Sequence, residues 1–433
     1  MMLSTKIVFL CLFFSSLSYA GGGKKIPDPL ALNEALFFSE QPHPNLTTAN
    51  LRVQAANNLK REAENEDDLT AYFEGRLQYV EPSALAVNQD NADHRASLVV
   101  SKTLYDFGRH DASVTSASLD INAQQKNKQR VILERRIEIM QKFYDVILAD
   151  MLFYRYNEEM ANKFIILDRL RDRLELGQVS DIDVMEKDVD FKRVRYLRQR
   201  SENEQRITRS ELAVAMGRPG ELVNTVTKPK LNFKKIKLPS VEKLNEISLI
   251  NNYEIVERQI QLTAARTRVE FAKKVNSPTV SLEAGSYAYS REVPGQYELQ
   301  VGVVLRVPLF SGDKSDVEVA KALNRVYQIE AEIALIKAKV ETSILTLWLE
   351  FDSLKSKLQQ MQALTDYREL YLDRNRALYE LEVKSDLGDA MVKISEAERS
   401  YLQTQYEMMI VMAKIELEVG QKLETIKEEG TQQ

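Results

Sequence analysis

The sequence is poor in the residues on which enzymes and disulfide-bonded proteins depend. Its 433 residues include a single cysteine, Cys11, and three histidines, His43, His94 and His110, which lie far apart along the chain. It has no HExxH, GxSxG, P-loop or dinucleotide-binding motif. We therefore expect no catalysis, no cofactor and no metal site.

Charge of one sign is also missing. The chain carries 59 Lys and Arg against 64 Asp and Glu, which gives a formal net charge of -5. Both signs are spread along the sequence, so no basic face is available for nucleic acid. The charge pattern disfavours a nucleic-acid partner.

Long hydrophobic runs are missing as well, although the N-terminus carries a short one. Lys6 precedes an apolar run over 7–14 and the small-residue site Ser18-Tyr19-Ala20. This is the three-part pattern of a secretory signal, and it predicts a signal peptide over 1–20. Cys11 falls inside it, so we expect no disulfide or lipid anchor in the secreted chain. Without an apolar run of 18 residues elsewhere, the remainder could cross a membrane only as a closed barrel.

The sequence is an internal duplication. Gly108 and Gly312, Asp181 and Asp386, and Gly217 and Gly420 share their local sequence contexts and are all about 204 positions apart. This register predicts one architectural unit that occurs twice. The predicted parts are a first repeat over 21–220, a linker over 221–240, a second repeat over 241–422 and a tail over 423–433.

Each repeat contains one very long helical segment. Apolar residues recur every three or four positions from Val326 to Leu364 without a proline, which predicts a coiled-coil-like helix over 313–380. The equivalent helix in the first repeat spans 109–176, and each would be about 100 Å long. Shorter helices follow at 181–216 and 387–420. Helices alone would also suit a periplasmic coiled-coil adaptor or scaffold, which is the alternative interpretation.

Four segments with alternating polarity favour a membrane protein over that scaffold. From Tyr297 to Val307 the odd positions are apolar, and the even positions include Glu298, Gln300 and Arg306. Each segment has roughly the ten residues that cross a bilayer as a tilted strand. An ordinary half-exposed antiparallel sheet gives the same alternation. The predicted strands cover 71–81, 94–104, 279–290 and 297–307.

Four strands cannot close a barrel in one chain. An open sheet edge in lipid leaves backbone groups unpaired, at a cost of several kcal/mol each. Two chains would supply eight strands, whose interior side chains fill, whereas three chains supply twelve and leave a lumen. The membrane interpretation therefore predicts a homotrimer.

Two strand-to-helix corners carry a family resemblance. Leu104-Tyr105-Asp106-Phe107-Gly108 and Val307-Pro308-Leu309-Phe310-Ser311-Gly312-Asp313 resemble the corners of the TolC outer-membrane efflux family. His43-Pro44-Asn45-Leu46 and Asn252-Tyr253-Glu254-Ile255 resemble the openings of its periplasmic helices. Gly108 and Gly312 are expected to adopt backbone angles that other residues resist, and Pro308 to end a strand ladder.

The resemblance implies an α+β membrane protein of known design. It implies a trimeric 12-stranded outer-membrane β-barrel, with four strands per chain, continued by a long α-helical periplasmic barrel. It further implies an exit duct in outer-membrane lipid that works with a periplasmic adaptor and an inner-membrane transporter. Multidrug efflux and type I protein secretion stay open as alternatives, because the transporter selects the substrate.

In this family the turns between long and short helices form the periplasmic entrance. Here those turns hold Asp181, Asp183, Asp386 and Asp389, which in a trimer would form carboxylate rings that favour cations and raise one another's pKa values. The alternative role is helix capping, with Ser180 and Ser385 as N-caps. The second turn departs from the family pattern, since Lys384, Asp386 and Leu381 replace a glycine, an arginine and a tyrosine of the entrance latch.

Overall fold

A computed structural model describes residues 26–231, 238–310, 312–381 and 386–426. The predicted signal peptide, the latch position Lys384 and the predicted N-cap Ser385 lie outside these residues. Within them the chain forms eight α-helices and four β-strands. The helices are α1 (Leu32–Phe37), α2 (Pro44–Asn65), α3 (Arg109–Glu175), α4 (Asp181–Ala215), α5 (Val241–Asn251), α6 (Tyr253–Lys273), α7 (Lys314–Glu380) and α8 (Leu387–Val419), and the strands are β1 (Thr70–Arg76), β2 (Arg95–Tyr105), β3 (Thr279–Tyr289) and β4 (Leu299–Arg306).

Within the described residues, the four strands form one sheet and the long helices pack side by side, with α5 against α6, α7 and α8. The sheet order is β1-β2-β3-β4, and every neighbouring pair is antiparallel. Next to the sheet the helices follow the order α2, α3, α6, α7, and farther away they follow the order α4, α3, α8, α7. The helices α3 and α7 have 67 residues each and run through both levels, a span of about 100 Å.

The first strand is shorter than the sequence predicts. β1 ends at Arg76, which pairs with Arg95 at the start of β2, rather than continuing to residue 81. Beyond this pair the two segments meet at an isolated antiparallel bridge between Tyr79 and Ala92, where the Asp93 N–H donates to the Gln78 carbonyl and the Val80 N–H to the Asn91 carbonyl, both at 2.9 Å. The alternation of apolar residues continues over 77–79, but regular pairing with the segment that precedes β2 does not.

The core is a seam between helices. The periodic apolar residues of α7 are buried, and they pack on α8 and on the start of α6. Farther along, the rings of Tyr144 in α3 and Tyr406 in α8 stack in parallel with centroids 4.1 Å apart. The buried seam residues on α7 are Ile336, Val340, Ile344, Leu347, Phe351 and Leu354. Packing of these apolar stripes supplies most of the stability of the long helices, because intrinsic helix propensity contributes little.

A buried arginine fixes the N-terminal segment at mid-height. Arg135 of α3 is 2% exposed, and its guanidinium donates hydrogen bonds to the carbonyls of Phe38, Ser39, Gln41 and Ala215 at 2.5 to 3.4 Å. These carbonyls lie just before α2 and at the end of α4, where the chain would otherwise leave acceptors buried and unpaired. No periodic pattern in the sequence predicts this contact.

His43 caps α2 beside this arginine. Its Nδ1 accepts a hydrogen bond from the Asn45 N–H at 3.2 Å, which requires the neutral imidazole. Burial, followed by the charge of Arg135, lowers the pKa of His43 below its ordinary value, and Glu138 opposes this only in part. Folding therefore favours the neutral form of this side chain.

This arrangement predicts an acid-sensitive stability. Because the folded-state pKa of His43 is depressed, its contribution is complete above the unfolded value of about 6.5 and is lost as pH falls through the folded value. We expect the thermal unfolding midpoint to drop from pH 7.5 to pH 5.5 less steeply in His43→Asn, which keeps a cap acceptor but cannot titrate there. Equal slopes in both proteins would exclude His43 as the source, since His94 and His110 are retained in each.

Candidate functional site

The strand register places one continuous apolar face on the sheet. Successive pairs join Phe73 to Leu98, Val100 to Ala284 and Leu282 to Val303, so that apolar side chains meet across all four strands, with Lys102 opposite Leu282 as a charged exception toward the helical end. Phe73 is 72% exposed in the protomer, and the whole of β4 presents this face to the surroundings. The exposed apolar members on β4 are Leu299, Val301, Val303 and Leu305. An uncovered apolar face of this extent marks contact with lipid or protein.

The opposite face of the sheet is polar and charged. Glu74 accepts from Arg76 at 3.0 Å and from Arg95 at 3.2 Å, and Arg306 lies 3.9 Å from Glu283. Acidic and basic groups thus alternate along this face and compensate one another. A transmembrane barrel has a lumen wall with this composition.

A tyrosine on the polar face is seated over a glycine. The ring of Tyr287 lies flat on the strand so that a Cβ at Gly285 would stand about 2.6 Å from its hydroxyl oxygen. The guanidinium of Arg95 lies 5.9 Å from the centroid of the Tyr287 ring, and the ring of Tyr289 stacks at 6.2 Å. Because Gly285 has no side chain, the ring of Tyr287 can pack against the strand at this position.

Tyrosines lie at both ends of the apolar face. A bulge between Thr103 and Tyr105 shifts the register, so that Tyr105 pairs with Val280 and joins the apolar face at its helical end. Tyr297 has the alternation of β4 and extends the face at the opposite end, where it is exposed. Aromatic side chains at two levels are the belts that flank a membrane-crossing band.

The first corner is held by a residue that the sequence analysis did not single out. Asp106 is buried, and its carboxylate accepts from the N–H groups of Gly108 at 3.0 Å and His110 at 2.5 Å. Gly108 has φ +79°, and a Cβ there would meet the Lys274 side chain. Asp106 therefore caps α3, whereas Gly108 supplies the left-handed backbone of the turn.

The second corner is built with fewer contacts. β4 ends at Arg306, two residues before Pro308, and Gly312 has φ +61° just before α7. Asp313 is the N-cap residue of α7, and its side chain accepts no capping hydrogen bond. Leu309 and Phe310 are almost fully exposed in the protomer. The two corners have a left-handed glycine in common, but only the first has a buried carboxylate cap among the described residues.

At the other end of the long helices, the first turn is a complete capping box. The Ser180 hydroxyl accepts from the Asp183 N–H at 3.3 Å, and the Asp183 carboxylate accepts from the hydroxyl and N–H of Ser180 at 2.8 and 3.1 Å. These hydrogen bonds, the hydroxyl first, lower the pKa of Asp183. The predicted mutual raising of pKa values concerns a trimer, and within one protomer the cap acts in the opposite direction. Asp181 is exposed at the first position of α4.

In the second turn the cap is Asp386, where the sequence analysis expected Ser385. The Asp386 carboxylate accepts from the Asp389 N–H at 3.3 Å, so α8 begins one residue later than the serine would have placed it. The shift gives Asp389 the third position of α8, the same as that of Asp183 in α4. Asp386 therefore corresponds in position to Ser180, one residue away from the pairing with Asp181 that the sequence register predicts.

The four aspartates form two local pairs rather than one cluster. Within the described part of the protomer, the side-chain hydrogen bonds and ion pairs of Asp183, Asp386 and Asp389 stay within their own turn or helix. Asp389 binds Lys393 one helical turn onward, with Oδ2 and Nζ 2.5 Å apart. The spacing of four residues between Asp389 and Lys393 is the sequence signal from which this ion pair could be predicted.

The described residues contain neither a membrane-spanning helix nor a metal-binding cluster. No helix in those ranges is both long and hydrophobic enough to span a bilayer. In the same ranges, no three His, Cys, Asp or Glu side chains are grouped as a metal ion requires.

Comparisons with solved structures identify the fold. CusC, whose structures concern transmembrane channel formation, is 17% identical over 90% of this chain and 92% of its own, with a TM-score of 0.71. The outer-membrane protein VceC of Vibrio cholerae is 15% identical over 90% and 96%, with a TM-score of 0.70. The CmeC outer-membrane channel of Campylobacter jejuni is 12% identical over 90% and 85%, with a TM-score of 0.72.

No protein-family model matches the chain, and no curated protein matches it in sequence. The solved structures nevertheless match over nine tenths of the chain. The protomer has the fold of outer-membrane channels of the TolC type, with four antiparallel strands and a long helical part. The fold-level resemblance drawn from the corner motifs is confirmed.

The packing of Tyr287 on Gly285 can be tested by substitution. Gly285→Ala would displace the ring from the strand, and we expect the free energy of unfolding to fall by about 1 to 3 kcal/mol, as for overpacked sites. Gly302→Ala is the matched control, since it lies in the neighbouring strand and a Cβ there meets nothing within 4 Å. Thermal unfolding of the two variants should separate them, and equal midpoints would refute the role of Gly285.

Proposed function

We propose that this chain is a passive exit duct in the bacterial outer membrane. Three copies would close a 12-stranded barrel in lipid and a helical barrel in the periplasm, and substrates would pass through the common lumen. The observation that carries this proposal is the apolar face that runs across four strands of a sheet whose two edges are open. Lipid covers such a face, and further strands must pair with such edges.

The edges of the helical layer support closure by identical copies. The helix at one edge, α4, carries an exposed apolar stripe at heptad spacing, Ile182, Val189 and Tyr196, joined by Met185. The helix at the other edge, α7, carries exposed apolar residues at multiples of seven, Leu335, Leu349 and Leu370, joined by Leu345 and Tyr367. Complementary stripes on opposite edges give a head-to-tail contact that closes into a ring.

The number of copies follows from the strands. Rings of two would give eight strands and an interior filled by side chains, whereas rings of three give twelve strands and a lumen. The charged face with Glu74, Arg95 and Arg306 would then line that lumen. The four aspartates of the helical turns would surround the periplasmic entrance three times each, and carboxylate rings of this kind favour cations.

The proposed partners follow from the resemblance to the TolC family. A passive duct of this kind would work with a periplasmic adaptor and an inner-membrane transporter that supplies the energy. Multidrug efflux and type I secretion both fit this arrangement, with the transporter setting the substrate. The rival proposal is a periplasmic coiled-coil scaffold, which would leave the apolar face of the sheet without a covering.

Single-channel recording tests the duct directly. The protein purified in detergent, added to a planar bilayer, should give uniform conductance steps that correspond to trimers, and crosslinking should stop at three copies. A protein that stays monodisperse without detergent and never inserts would overturn the duct and support the scaffold. Asp389→Ala should weaken cation preference if the aspartate rings line the entrance.

A matched pair of lysine substitutions tests which face meets lipid. Val303 lies on the apolar face of β4, and Val304 lies on the opposite face. A lysine on the lipid side near the middle of a bilayer costs about 2 to 4 kcal/mol, whereas the lumen side tolerates it. We expect Val303→Lys to reduce insertion into the outer membrane and Val304→Lys to insert normally, as measured by membrane fractionation. Equal insertion of both variants would contradict the assignment of faces.

A further inference from the structure

The entrance turn of the second repeat is held by Asn375, a residue near the end of α7. Asn375 is 6% exposed, its Oδ1 accepts from the Asp386 N–H at 3.1 Å, and its amide donates to the Tyr371 carbonyl at 2.8 Å. A buried amide with both sides bonded fixes the position at which α8 leaves the turn. The start of α8 is therefore set from within its own protomer.

A close approach to α3 holds the same turn from the other side. Gly388 is the second residue of α8, and a Cβ at this position would overlap the side chain of Asn162 in α3. The first turn of α8 thus lies directly against α3, with no space for a larger residue. Asn375 and Gly388 together fix the orientation of Asp389, one residue farther along.

In that orientation Asp389 is paired with a cation. Lys393 places Nζ 2.5 Å from Asp389 Oδ2 and 5.7 Å from the centroid of the Tyr371 ring on α7. The ammonium therefore lies between a carboxylate of its own helix and the face of a ring on the neighbouring helix. Asp389, acting first through the hydrogen bond, raises the pKa of Lys393, so the lysine keeps its charge at every physiological pH.

The equivalent lysine in the first repeat does not make this pair. Lys187 stands four residues after Asp183, as Lys393 stands four residues after Asp389. However, Lys187 binds Glu186 at 2.5 Å, and the Asp183 carboxylate turns back to Ser180. Two matching sequences thus produce different charge patterns, because a serine cap engages Asp183 and an aspartate cap leaves the carboxylate of Asp389 free for the lysine.

We propose that Lys393 determines the ion selectivity of the entrance by neutralising Asp389. This inference rests on the duct as the function and adds a residue that opposes the aspartate rings. With Lys393 in place, the groups Asp386, Asp389 and Lys393 carry one net negative charge per protomer. Without the lysine they carry two, so a trimer would present twice the negative charge at this level.

The experiment compares reversal potentials in a KCl gradient for wild-type and variant channels. Lys393→Met keeps the length of the side chain and removes the charge, and we expect the permeability ratio of potassium to chloride to rise about two-fold or more. Lys393→Arg should leave the ratio near that of the wild type. The double variant Lys393→Met with Asp389→Asn should return toward the wild-type ratio, because the pair is removed as a unit.

Lys187→Met is the matched control, since it removes a lysine from the same position of α4 but leaves Asp183 bound to Ser180. The potassium-to-chloride permeability ratio of Lys187→Met channels should change less than that of Lys393→Met channels. An unchanged or lower ratio in Lys393→Met, with conducting trimers present, would overturn the role of Lys393 while leaving the duct intact. A wild-type protein that forms no channels would instead refute the duct itself.

Discussion

Unpaired backbone groups at the two edges of the sheet are the constraint on which the rest of this structure depends. β1 and β4 each have one strand neighbour in the protomer, and the apolar face between them is exposed. In water such edges invite uncontrolled association, and in lipid their free N–H and C=O groups are costly. The protomer therefore has sheet edges that need further strands as partners. The exposed apolar stripes on α4 and α7 are further surfaces that other copies would cover in the proposed trimer.

The duplication shows how a single design meets this constraint twice. The long helices α3 and α7 have equal lengths, so both repeats reach from the sheet to the same level at the far end. In the proposed trimer, a shorter helix in one repeat would place its turn at a different level from the other. The two repeats differ at these turns. There Ser180 and Asp386 cap equivalent helices with opposite consequences for the neighbouring carboxylates.

The long periodic elements could be predicted from the sequence because their signal is repeated many times. The seam from Val326 to Leu364 and the alternation from Tyr297 to Val307 place helix and strand to within a few residues. The end of β1 could not be predicted, since Leu77 and Tyr79 continue the alternating pattern. The pairing ends because of the path of the segment that precedes β2, which the alternation does not show. The roles of Arg135 and Asp106 were also missed, because one polar residue with distant partners leaves no periodic trace.

At the candidate entrance the residue types were visible and their partners were not. The aspartates were identified by position, but whether a carboxylate bonds a serine or a lysine depends on where the helix starts, and that moved by one residue between Ser385 and Asp386. Asn375 gave no signal, since a lone asparagine in a helix usually points to solvent. Its burial follows from the geometry of the α7 and α8 pair.

The contact of Arg135 with the carbonyls of residues 38, 39, 41 and 215 has a consequence for assembly order. All of these groups belong to one chain, so this hydrogen-bonded cluster can form in an isolated protomer before it contacts another copy. In the proposed trimer, the sheet edges and outer helix faces would find partners only on contact with other copies. Assembly would then have two stages, in which this part of the protomer folds first and the barrel wall closes later.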